Sequence, residues 1–93
     1  MRTIEETTRF RRDFRREKRG IHARYLDRLL EETVDMLAKD MPLPRRFSDH
    51  PLSGEWDDCR DCHLRGDLVL IYRKIGDDTL QLVRIGSHSE LGI

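Results

Sequence analysis

Ninety-three residues make one domain, residues 1–93, with room for a single small core. Charged residues form 39% of the chain and hydrophobic ones 37%, so a modest core under a heavily charged surface is expected. No apolar run reaches the length of a membrane span, and Met1-Arg2-Thr3-Ile4-Glu5-Glu6 lacks the form of a secretion signal. These features point to a soluble, cytoplasmic protein with no membrane contact and with reduced cysteines rather than a disulfide.

Met1 to Glu5 reads as a short strand or a frayed start. Thr7 or Thr8 can cap a helix that runs to about Arg19, where Gly20 suits its C-terminal stop. A second helix is expected over residues 22–39, because Leu26, Leu29, Leu30, Val34 and Leu37 keep the three-and-four spacing of a buried face. Phe10 and Phe14, four apart, should pack on that face and make a helical hairpin. Pro42 and Pro44 end the helical region. The periodicity then changes, and residues 59–64, 68–74 and 79–85 read as strands. Leu68-Val69-Leu70-Ile71-Tyr72 is unbroken apolar and should be a central strand, and Gly76-Asp77-Asp78 a hairpin turn. The expected fold class is α+β, with two N-terminal helices on one face of a small, mostly antiparallel four- to five-stranded sheet.

A formal net charge of zero conceals a split. Residues 1–30 hold ten Arg/Lys and five Asp/Glu, and residues 31–93 hold eight and thirteen. Arg9, Arg11, Arg12, Arg15, Arg16, Lys18 and Arg19 crowd the first helix, a face suited to a phosphate backbone or an acidic protein rather than to solvent alone.

The second half carries Asp49-His50, Asp61-Cys62-His63, Asp67 and Gly86-Ser87-His88. Histidine exchanges protons near neutral pH, and a carboxylate can orient it or act as a base. Asp61 and His63 are two apart on a strand and share a face, so Asp61 can hold the His63 ring, while Arg60 projects from the other side. His22, at the start of the second helix, reads as a surface residue. Cys59-Arg60-Asp61-Cys62-His63 fits the C-x-x-C-H pattern of haem attachment, but it falls where a strand is expected. A zinc site would need a second ligand pair at suitable spacing, which the chain lacks. No metal and no cofactor are therefore expected.

Pro42-Leu43-Pro44, Asp49-His50-Pro51-Leu52-Ser53-Gly54, Arg60-Asp61-Cys62-His63, Asp67 to Arg73 and Gly86-Ser87-His88-Ser89-Glu90-Leu91 resemble, in order and spacing, the signature blocks of YafQ-type toxins of the RelE/ParE superfamily. The resemblance implies the toxin of a type II toxin–antitoxin system, a ribosome-dependent endoribonuclease (mRNA interferase) held inactive by a cognate antitoxin of ribbon-helix-helix type with an acidic tail. It places His50, His63, Asp67 and His88 at the family's catalytic positions and Asp61 at the acid before the second histidine. Such toxins usually end this block in Leu-Phe; here Leu91 is followed by Gly92-Ile93, which removes an aromatic platform for a base.

The same residues suit metal-free RNA cleavage. A base takes the 2′-hydroxyl proton, the oxygen attacks phosphorus, and an acid protonates the departing 5′-oxygen. Asp67 or His50 is the expected base and His88 the acid, with His63 and Arg60 on the phosphate. Arg11, Arg12, Arg15, Arg16 and Arg19 are the expected ribosome contacts. Two other readings are a same-fold toxin that acts by binding, as the gyrase-directed ParE branch does, and a metal or haem module on Cys59, Cys62 and His63.

Overall fold

The computed structural model describes residues 1–93. The chain runs β1 (Thr3–Glu6), α1 (Thr8–Glu17), α2 (Ala23–Ala38), β2 (His50–Pro51), β3 (Arg60–Arg65), β4 (Leu68–Ile75), β5 (Thr79–Gly86) and α3 (His88–Leu91). Two 3₁₀ turns, Arg45–Phe47 and Gly54–Trp56, lie in the segment between α2 and β3. The five strands form one sheet in the order β1-β5-β4-β3-β2, antiparallel except where β1 runs parallel to β5. The expected α+β class holds.

β4 is central, as its unbroken apolar run predicts, because both of its faces are covered. Leu68, Leu70 and Tyr72 join Cys62, Leu64, Leu80, Leu82 and Ile85 beneath Phe10, Leu26 and Leu37 of the helices. Val69 and Ile71 face the other way, into a thinner cluster with Cys59, Val83 and Leu91 that Leu52, Trp56 and Ile93 partly cover. A bulge in β5 opposite Ile71 and Tyr72 lets Ile85, rather than Arg84, follow Leu80 and Leu82 toward the helices.

The helical hairpin expected from Phe10 and Phe14 is only partly present. Phe10 is buried, but the other buried positions of α1 are Asp13 and Glu17, while Phe14 stays half-exposed. α1 lies along the β5 edge that β1 leaves free, and the Ile85 N–H donates to Asp13 Oδ2 at 3.2 Å. Arg84 Nε and Nη2 meet the same carboxylate at 2.8 and 2.9 Å, and Arg16 Nη1 meets it at 3.0 Å. Burial opposes the Asp13 charge, but the Arg84 and Ile85 hydrogen bonds outweigh it and hold the carboxyl below its ordinary range.

Candidate active site

Sheet register assembles the histidines. β2 sets His50 opposite Asp61, β3 sets His63 opposite Val69, and β4 sets Val69 opposite Gly86, two residues before His88. Asp67 occupies the β3–β4 turn, which Gly66 closes with a φ of 54°. His88 opens α3, a single turn fixed by a capping box: Ser87 Oγ accepts from the Glu90 N–H, and Glu90 accepts from the Ser87 N–H. Arg16 braces that turn from α1, with Nε 3.1 Å from Glu90 and Nη2 3.1 Å from the Ile85 carbonyl. A Cβ at Gly86 would meet Arg16 Nη2 at 2.7 Å, so a side chain here would push that guanidinium from its place against the turn.

The three imidazoles line up with a carboxylate at each end. His88 Nδ1 lies 2.5 Å from Asp67 Oδ1, which keeps the proton on Nδ1 and turns Nε2 outward. His63 sits between, its ring edge-on to His88 with centroids 5.0 Å apart. His50 Nδ1 is 2.7 Å from the Ser48 carbonyl, so its hydrogen is committed there and Nε2 is left as an acceptor. Asp61 Oδ1 lies 3.2 Å from the same His50 nitrogen yet has no hydrogen-bond partner. Asp61 therefore stands beside His50, not as the ring holder of His63 that alternation alone predicts.

The two carboxylates differ in kind. Asp61 is buried, and desolvation raises its carboxyl against the pull of the His50, His63 and His88 charges. Asp67 is exposed and lowered, through hydrogen bonds from the His88 ring and backbone N–H and through the nearby charge of His22. His22 was expected merely at the surface; it is half-buried and close enough to act on Asp67.

Other candidates lie elsewhere. Arg60 does not join the histidines: its Nε is 3.2 Å from Asp49 Oδ1, an atom that also accepts from the Tyr72 hydroxyl at 2.6 Å. Strand alternation puts Arg60 on the helix side with Cys62 and Tyr72, so the expected phosphate contact is corrected. Arg16 is likewise turned inward, to Asp13, Glu17 and Glu90, and is not part of a free basic face. Arg11 lies 3.5 Å from Glu6, while Arg12, Arg15 and Arg19 carry no carboxylate partner. Cys59 and Cys62 are buried free thiols, the first pushed up by burial to about 11 and the second further still. No three His, Cys, Asp or Glu side chains converge closely enough to hold a metal ion.

Residues 2–92 match the family described as the bacterial toxin of type II toxin–antitoxin systems, YafQ. The mRNA interferase toxin YafQ of Escherichia coli strain K12 is 41% identical over 56 residues, 60% of each chain, so the match spans about three fifths of that relative's length. A metal-bound toxin from Helicobacter pylori superposes with a TM-score of 0.80 at 41% identity, over 98% of this chain and 99% of that one. YafQ in the E. coli DinJ–YafQ toxin–antitoxin complex gives a TM-score of 0.76 at 31% identity, over 97% and 96%. With this fold, this order of blocks and this clustering of histidines, the chain belongs to the YafQ family of bacterial type II toxins.

Proposed function

We propose that this protein is a metal-independent endoribonuclease that cleaves messenger RNA on the ribosome and so inhibits translation. The observation that carries the reading is the unlike pair of histidines bracketing the site: His50 with Nε2 free as an acceptor, and His88 with Nδ1 held by Asp67. A 2′-hydroxyl placed at His50 Nε2 gives up its proton there, and the oxygen attacks the adjacent phosphorus. The departing 5′-oxygen takes a proton from Nε2 of His88, which enters the step as the imidazolium with its Nδ1–H held by Asp67 and leaves it neutral, giving a 2′,3′-cyclic phosphate and a 5′-hydroxyl. His63, between them, donates to a non-bridging phosphate oxygen. Asp67 is a positioning group here; its carboxylate is occupied by the ring it orients, which favours His50 over Asp67 as the base. Asp61 adds negative charge beside the imidazoles as they gain protons.

The E. coli relative's name supports the substrate class, and the E. coli DinJ–YafQ complex supports a cognate antitoxin for this chain. In a translation reaction supplied with purified protein, primer extension is expected to show discrete message cuts ending in a cyclic phosphate. No cuts in translated message, with intact protein present, would refute the reading. Cleavage should also survive a chelator once magnesium keeps the ribosomes intact. Loss of cleavage, restored by a transition metal rather than magnesium, would shift the chemistry to a metal on the histidines, a possibility that the metal-bound Helicobacter relative makes concrete.

A further inference from the structure

Tyr25, in the first turns of α2, is ringed by guanidiniums. Arg65 Cζ stands 4.0 Å from its ring centroid, Arg24 Cζ 5.8 Å and Arg28 Cζ 6.0 Å. None of the three makes an ion pair, whereas Arg2, Arg16, Arg60, Arg73 and Arg84 each hold a carboxylate. Arg28 also borders a shallow hollow with Glu31, Glu32 and Asp35, which leaves Arg24 and Arg65 as the uncompensated pair. Cations gathered at one ring repel each other, and for Arg24 and Arg65 no ion pair offsets that repulsion. An anion laid across them would.

The cluster adjoins the site. Arg65 and Asp67 flank Gly66, so their backbones are at most about 7 Å apart. His22, one turn before Tyr25, is near enough to lend charge to Asp67. Ile93, whose N–H donates to the His88 carbonyl, packs on the apolar floor and presents no aromatic ring.

We propose that Tyr25, Arg24 and Arg65 form a subsite for single-stranded RNA that holds a nucleotide flanking the scissile phosphate. The base stacks on the Tyr25–Arg65 pair and the phosphate lies between the Arg24 and Arg65 guanidiniums. The assignment to substrate rests on the cleavage reading above. An acidic peptide would satisfy the guanidiniums but would have no use for the ring.

The test is fluorescence anisotropy with a short, fully 2′-O-methylated single-stranded oligoribonucleotide, which lacks the attacking hydroxyl and so reports binding apart from cleavage. Arg24→Gln and Arg65→Gln should each weaken binding and lower the slope of log K against log salt by about 0.7. Tyr25→Leu should weaken binding roughly 5- to 150-fold with the slope unchanged. Thermal melting of each variant establishes that it is folded, and the exposed Arg24 side chain provides a variant that leaves the core untouched. Unchanged slopes in both arginine variants, an unaffected Tyr25→Leu, or no salt-dependent binding by the wild-type chain would overturn the proposal. Displacement of the RNA by polyglutamate as effectively as by unlabelled RNA would do so too, making the patch a protein contact. If the oligonucleotide binds as expected while no message is cut in translation, the cleavage reading fails and the subsite stands.

Discussion

At the β2–β3 edge, Asp61 is 2% exposed, without a hydrogen-bond partner, and raised by burial; at the β3–β4 turn, Asp67 is exposed, bonded to His88 and lowered. Both are Asp/His pairs on the same side of one sheet, yet one carboxylate has lost its water without gaining a donor and the other has gained a donor without losing its water. Asp13 separates the two influences. It is as buried as Asp61, at 1% exposure, but Arg84, Arg16 and the Ile85 N–H meet it, and its carboxyl is lowered. Donors, more than depth, set the sign.

The largest effect is expected where the bonded pair meets substrate. His88→Ala should reduce cleavage by about 100- to 10,000-fold, the usual range for a general acid, with little change in melting temperature because the side chain is half-exposed. Asp67→Asn should give a smaller loss, because the ring keeps its chemistry and loses only its anchor. Primer extension at matched protein concentration measures both. If Asp67→Asn equals or exceeds His88→Ala, Asp67 is itself the base and the two ends of the site exchange roles.

Stability tests the buried, paired carboxylate. Arg84→Met leaves Asp13 buried with only Arg16 and the Ile85 N–H as donors and should cost about 1.5–3 kcal/mol in chemical denaturation, the range for lost hydrogen bonds to a charged group. Asp13 has a lowered folded value, so its stabilising contribution is full above the unfolded value and fades as pH falls through the folded one. The wild type should therefore lose part of its advantage over Arg84→Met in acid. A constant difference from pH 7 down to acid unfolding would detach this cluster from the stability of the fold.

The sequence made the strands, the central position of β4 and the hairpin at Gly76 legible, because alternation and turn residues are local signals. It also grouped His50, His63, Asp67 and His88, which register then brings to one side. It did not show which carboxylate serves which ring, since the two-residue edge strand β2 looks like loop yet places His50 opposite Asp61. The fate of Arg16 and Arg84 depended on α1 lying against the open edge of β5, a tertiary fact with no local signature. α3 was missed although Ser87-x-x-Glu90 is a readable capping box; four residues are too few for periodicity to announce a helix. His22 read as surface because its neighbour, Asp67, is distant in sequence.

The unpaired carboxylate gives the smallest and sharpest effect. Asp61→Asn keeps the shape and removes the charge, so the fold no longer holds an ionised group that lacks a donor. Asp61 has a raised folded value, and its ionisation therefore destabilises the native state: the penalty is absent below the unfolded value and grows as pH rises through the folded one. Near neutral pH, Asp61→Asn should be more stable than wild type by about 1 kcal/mol, the low end for a buried polar atom without a partner. That advantage should vanish in acid, where both side chains are neutral. Cleavage should fall in the same variant, because the imidazoles lose the negative charge that all three of them feel. Greater stability with less activity would mark Asp61 as a group retained for the site at the expense of the fold. Equal melting of the two proteins from acid to neutral pH would show that His50 already satisfies Asp61, and the contrast with Asp67 would reduce to exposure alone.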